Sequence, residues 1–200
     1  MLNIPPDHPI AAELPLYISV DIETAGPTPH DYSMLSIGAC TLPEPRQTFD
    51  ILLQPVNERM EPEAHAIHKL SPARLRDKGL PPHEAMLHFE AWLAQVIPAG
   101  RQPIFVAFNA PFDWMFVNEY FHRYLGRNPF GHSALDIKAL LMGARGVAWE
   151  QTSRRQIAVQ DHKTKPLTHL ALQDALDQAD LFALLLDELA SRQPIPKETR

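Results

Sequence analysis

Two hundred residues are enough for one domain with a sizeable core and do not demand two. Hydrophobic residues at 45% and charged residues at 21% suit an ordinary folded chain, and no apolar run is long enough for a membrane span. A net charge of −6 argues against a broad basic surface wrapped in a polyanion, yet allows a local acid cluster whose bound cations reverse its sign.

Residues 1–15 read as a proline-rich lead-in without the basic start and apolar stretch of a secretion signal. Leu16 to Glu23 predicts a strand, and residues 33–42 and 48–54 two more, an antiparallel meander. The single cysteine, Cys40, cannot form an internal disulfide, and its apolar neighbours predict a packed thiol; a reducing cytoplasm fits. Short helices are expected over 62–98. The last, Pro82 to Ile97, carries Ala85, Phe89, Trp92, Leu93 and Val96 at helical spacing. Gln102 to Phe108 predicts a buried strand, and Pro111 opens a helix to about Tyr124, proline being favoured in a first turn. Residues 133–160 read as mixed and mostly helical, and Thr168 to Ala190 as a long helix. One domain over 16–190 is expected, with a flexible tail at 191–200. Strands first, then helices alternating with a strand, predict an α/β mixed sheet with helices on its faces.

Three short stretches carry acids in unusual places. In Leu16-Tyr17-Ile18-Ser19-Val20-Asp21-Ile22-Glu23, alternation puts Leu16, Ile18, Val20 and Ile22 on one face and Asp21 with Glu23 on the other. Neighbouring carboxylates repel unless a proton or cation lies between them; two solvated acids on an exposed strand would be the plain alternative. In Asn109-Ala110-Pro111-Phe112-Asp113, Asp113 falls in the first helical turn, on the stripe of Val117, Tyr120, Phe121 and Tyr124. The helix dipole explains an acid there but not its alignment with the buried stripe. In His169-Leu170-Ala171-Leu172-Gln173-Asp174, Asp174 shares a stripe with Leu170, Leu181 and Leu185, where an ionised group is costly unless paired or metal-bound. His169, about 140° away on an ideal helix, must stand at or before the helix start, on a mobile connection.

In this order the three motifs resemble those of the DEDDh (DnaQ-like) 3′–5′ exonucleases: Asp21-Ile22-Glu23-Thr24, Asn109 to Asp113, and His169 to Asp174. The resemblance covers about residues 16–190. Ser36-Ile37-Gly38-Ala39 and Ala66 to Pro72 echo it further. Leu170 stands where the sister DEDDy subclass would carry tyrosine, and the motif around Asp21 looks somewhat like that of ribonuclease T. Phe108, where histidine is frequent, and the long spacing from Asp113 to Asp174 depart from the pattern. The resemblance implies a ribonuclease-H-like fold, a five-stranded sheet with the meander first and parallel strands after it. It also implies hydrolysis of phosphodiester bonds at single-stranded DNA or RNA 3′ ends with two divalent cations, Mg²⁺ or Mn²⁺, releasing nucleoside 5′-monophosphates. By resemblance Asp21 would bridge both cations. Glu23 and Asp174 would complete the nucleophile-side site, Asp113 would support the other through water, and His169 would be the general base. Thr24, His68 and Asn109 match positions lining a terminal-nucleotide pocket.

Residues 138–165 hold Lys138, Arg145, Arg154, Arg155, Lys163 and Lys165 against Glu150 and Asp161, a stretch that could steer a phosphate backbone or be a solvated surface. Asp136 is expected to hydrogen-bond locally and not to bind metal. A catalytically silent nucleic-acid-binding or adaptor domain is a second reading, which the intact five-residue set argues against. A proofreading subunit with a polymerase partner, an oligoribonuclease-like role and a homodimer all stay open.

Overall fold

The computed structural model describes residues 16–42, 44–161 and 168–192, with only the backbone for 158–161. The expected lead-in, most of the tail, Lys163 and Lys165 lie outside the described residues. Strands β1 (Tyr17–Thr24), β2 (Met34–Leu42) and β3 (Thr48–Leu52) form the meander. Helices α1 (Pro62–His68), α2 (Pro72–Lys78) and α3 (Pro82–Val96) follow, each opened by a proline whose missing N–H would have had no intrahelical partner there. Then come β4 (Ile104–Ala107), α4 (Ala110–Leu125), β5 (Ala134–Asp136), α5 (Ile137–Arg145), a 3₁₀ turn at Trp149–Thr152, α6 (Arg154–Asp161) and α7 (Ala171–Ala190).

The five strands lie in the order β3-β2-β1-β4-β5. β1 is antiparallel to β2 and parallel to β4, and β5 is parallel to β4. This is the mixed sheet the sequence predicts. β1 is central and covered on both faces, so its acids do not lie on an exposed strand. Ile18, Val20 and Ile22 join Phe89, Phe116, Val117 and Tyr120 in one core with α3 and α4. On the other face α7 packs through Phe182 and Leu185 beside Cys40, Leu42 and Val106. Ser19 Oγ donates to the Ala175 carbonyl at 2.7 Å, tying β1 directly to α7. Cys40 is buried as expected, with burial pushing its thiol up to about 12.

The elements differ from the sequence reading most at β5, at the start of β4 and at the start of α7. β5 is only three residues long, too short to show an alternation, and its parallel pairing with β4 creates it. β4 starts at Ile104 where a strand from Gln102 was expected. α7 starts at Ala171, three residues after Thr168, because the Asp174 carboxylate takes the N–H groups of Thr168 and His169 and holds them outside the helix.

The sheet opens at its centre. The β1–β4 ladder pairs Tyr17, Ile18 and Ser19 with Ile104, Phe105 and Val106. Beyond it, side chains replace the partner strand. Gln178, fully buried on α7, donates through Nε2 to the Val20 carbonyl and accepts at Oε1 from the Phe108 N–H, both at 2.7 Å. Asp113 Oδ1 accepts from the Ile22 N–H at 3.1 Å. The strands thus part at the point where Asp21 and Glu23 emerge. Gln178→Leu strands a buried carbonyl and a backbone N–H, and its expected cost is about 2 to 5 kcal/mol of unfolding free energy. Urea denaturation measures it; a loss below about 1 kcal/mol would mean that these groups find other partners.

Candidate active site

Each acid reaches this opening for a local reason. Asp21 and Glu23 share the β1 face that looks toward α7, opposite Gly38 and Ser36 of β2. A Cβ at Gly38 would overlap the backbone of Ala171 and Leu172, so only glycine lets the first turn of α7 settle against β2. Asp113 enters from the first turn of α4. The start of that helix is fixed by Asp136, whose Oδ1 accepts from the N–H groups of Asn109 at 2.9 Å and Ala110 at 3.2 Å, and also caps α5 at Lys138. Asp136 therefore makes the expected local hydrogen bond, at Lys138, and two long-range ones to the start of α4 that the sequence does not predict. Tyr120 on α4 accepts from the Met34 N–H at 2.8 Å and fastens the helix to β2.

Asp174, 1% exposed, binds the segment that carries His169. Its Oδ1 accepts from the N–H of Thr168 at 2.9 Å and its Oδ2 from that of His169 at 2.8 Å. His169 has a left-handed φ of 56° and lies one residue before the α7 N-cap, Leu170. The expected position outside the regular helix is observed. The ring already faces inward, however: one ligand atom each of Glu23, His169 and Asp174 lie within 4.8 Å of one another. Asp21 and Asp113 stand outside this trio.

The electrostatics of the opening are those of confined acids. Burial is the first cause and neighbouring carboxylates the second in raising Asp21 well above the usual range, Asp113, Glu23 and Asp174 all contributing. Burial and then Asp174 push Glu23 to about 7. Burial also raises Asp113, against the lowering effect of the Ile22 N–H. Four carboxylates and an imidazole, with no thiolate among them, suit hard divalent cations. The residues thus fit a metal site: a cation there would remove a repulsion that protons otherwise relieve.

The three residues expected to line a nucleotide pocket differ in what occupies them. Thr24 Oγ1 donates to the Gly26 carbonyl at 2.9 Å and closes the turn after β1. His68, at the end of α1, is buried, and its Nδ1 accepts from the Leu70 N–H at 2.9 Å. Burial, then His65 and His169, hold it down to about 4, so it is neutral with its proton on Nε2. Asn109 is exposed with φ 69°, a left-handed conformation that asparagine tolerates well. A cavity of about 380 Å³ adjoins the site, lined among others by Glu23, Ser36, Leu70, Arg74, His169 and Leu170. The sequence reading misses Gln178. Its signal is a polar residue one turn beyond Asp174 on the same apolar stripe.

A five-stranded mixed sheet with DEDDh acids and histidine at its opening defines a hydrolytic nuclease of the ribonuclease-H-like fold. The family model for the RNase_T exonucleases matches residues 18–182, and the chain belongs to that exonuclease family. It is 44% identical over 185 residues to the 3′–5′ DNA exonuclease Cap18 of Escherichia coli, covering 91% of this chain and 97% of the relative. Its fold is similar to the nuclease domain of 3′hExo, a DEDDh family member bound to rAMP, with a TM-score of 0.73, 14% identity, and 89% and 94% of the two chains covered. Escherichia coli Exonuclease I in complex with a dT13 oligonucleotide gives a TM-score of 0.69 at 14% identity, over 86% of this chain and 41% of that one. Among the described residues no helix is long and apolar enough to cross a membrane.

The raised acids predict a pH dependence. Glu23 has an ordinary value of 4.5 and sits at about 7 when folded, so folding favours its protonated form. That contribution is full below about 4.5 and is lost as pH rises through 7, and the raised Asp21 and Asp113 act in the same direction. The thermal midpoint of metal-free protein should therefore fall between pH 5 and pH 8, and the upward shift given by Mn²⁺ should be larger at pH 8 than at pH 6. Differential scanning calorimetry in chelator and in Mn²⁺ checks both; equal Mn²⁺ shifts at the two pH values would count against the acids as the binding site.

Proposed function

We propose that this chain removes nucleotides one at a time from the 3′ end of single-stranded DNA, with two divalent cations, Mg²⁺ or Mn²⁺, and releases nucleoside 5′-monophosphates. The observation that carries the reading is the convergence of Asp21 and Glu23 of β1, Asp113 of α4, Asp174 of α7 and His169 where β1 and β4 part. DNA is favoured over RNA by the 44% identity to a relative named as a DNA exonuclease across 97% of its length.

In this reading Asp21 would help hold both cations, Glu23 and Asp174 would complete one site, and Asp113 would support the other. When bound, the cations supply Lewis acidity at the scissile phosphate and at the leaving oxygen. His169 takes the proton from the attacking water as general base. Its left-handed backbone, tied to Asp174, aims the ring at the acids and limits the freedom that would be lost on reaction. His68 offers a buried Nε2–H, without a partner among the described residues, to the terminal nucleotide. Asn109 borders the same nucleotide, and Thr24 shapes its pocket through the turn it closes.

Activity on 5′-labelled single-stranded DNA and RNA of matched sequence tests this, with Mg²⁺, Mn²⁺ or chelator. The expected result is a ladder shortening from the 3′ end of DNA, lost in chelator. Asp21→Asn and Asp174→Asn should lower turnover by at least about 10³-fold, since each removes a ligand from charge that develops in the transition state. His169→Ala should cost about 10²- to 10⁴-fold. Full turnover of Asp21→Asn in Mg²⁺ would remove the metal site from the mechanism, and near-normal turnover of His169→Ala would remove the base.

A further inference from the structure

The structure sorts the basic side chains that the sequence gathers before His169. Lys138 Nζ sits 4.2 Å from the centroid of the Trp149 ring. Arg145 pairs with Glu188 at 2.7 Å. Arg155 is exposed. Arg154, the first residue of α6, turns inward instead. Its Cζ lies 4.9 Å from the centroid of Phe108, the residue whose N–H is held by Gln178 beside the opening. The carboxylates nearest to it electrostatically are Asp21, then Asp174, Asp177 and Asp113.

Two of its donors are not used. Nε and Nη2 of Arg154 are buried, and neither has a hydrogen-bond partner among the described residues. Buried charged donors without acceptors are costly and ask for a reason. The acids nearby do not form ion pairs with it among the described residues, and their own arrangement suits divalent cations. A guanidinium held against an aromatic ring, with its buried Nε–Nη2 edge lacking acceptors among the described residues beside a hydrolytic site, matches the two non-bridging oxygens of a phosphate. Charge balance points the same way: once cations neutralise the carboxylates, one positive group remains for the anionic substrate.

We propose that Arg154 is the phosphate-binding residue of this site, gripping the 3′-terminal phosphodiester with Nε and Nη2 while Phe108 fixes the plane of its guanidinium. The assignment rests on the exonuclease reading above. It is separate from the acids and His169, and it gives α6, otherwise without a part in the site, a function in substrate capture.

The test is a cycle of binding measurements that a purely charge-neutralising role would not satisfy. Wild type and Arg154→Ala are titrated, with Ca²⁺ replacing Mg²⁺, against 5′-fluorescein single-stranded DNA whose 3′-terminal linkage is either a phosphodiester or an uncharged methylphosphonate. Fluorescence anisotropy reads the affinity. Wild type should bind the methylphosphonate about 10- to 100-fold more weakly, the range for a charged hydrogen bond. Arg154→Ala should bind both oligonucleotides equally weakly. Arg154→Lys, which keeps the charge but not the fork or the stacking, should fall between them, and Arg154→Gln guards against a folding defect in the alanine variant. Losses that add independently, or an Arg154→Ala affinity equal to wild type, overturn the proposal. Turnover with Mg²⁺ on the unmodified oligonucleotide separates the two levels. If wild type fails to shorten it from the 3′ end, the exonuclease reading fails. If it shortens it and the losses add, Arg154 alone is wrong.

Discussion

The structure depends on a concentration of negative charge that it has to tolerate. Asp21, Glu23, Asp113 and Asp174 are brought together in a place sheltered enough that burial is the main cause of the raised values of Asp21, Glu23 and Asp113. Such an arrangement opposes folding unless protons, a guanidinium or metal ions offset it. Its persistence across three elements, against that cost, is the physical reason to read a cation site here. Several other features of the fold then fall into place as means of holding the acids together.

Three of these means are backbone devices. Gln178 occupies the gap where β4 would otherwise continue alongside β1, so the Val20 carbonyl and the Phe108 N–H keep partners where the strands part. Asp136 gathers the N–H groups at the start of α4 and thereby sets where Asp113 stands. Asp174 has two tasks: its carboxylate is one of the four acids, and the same oxygens hold the His169 segment in place. Acid and base are thus linked through the backbone, and a change at Asp174 disturbs both. Gly38 completes the set by letting α7 approach β2 more closely than any side chain would allow.

Relatives and geometry agree on the kind of chemistry and address different parts of it. Identity of 44% over nearly the whole length carries the family, whereas the solved structures at 14% identity carry only the fold. The arrangement of Arg154 and Phe108 comes from neither. It follows from two buried donors that the described protein leaves without acceptors.

Outside residues 133–160, the sequence by itself determined the order of the main elements, and it determined the identity of the acids. Alternation along Leu16 to Glu23 puts Asp21 and Glu23 on one face, and helical spacing puts Asp113 and Asp174 on buried stripes; both periods are local and survive without knowing what packs against them. The position of His169 outside the helix was legible for the same reason, since five residues from Asp174 cannot share its face. Only the tertiary structure decided what surrounds these residues. It showed that both faces of β1 are covered, that three residues at Ala134–Asp136 become a strand by pairing with β4, that Gln178 replaces a strand, and that Arg154 alone among the described basic residues of its stretch turns toward the acids. Those outcomes depend on contacts between residues far apart in the chain, whose meeting no local period encodes.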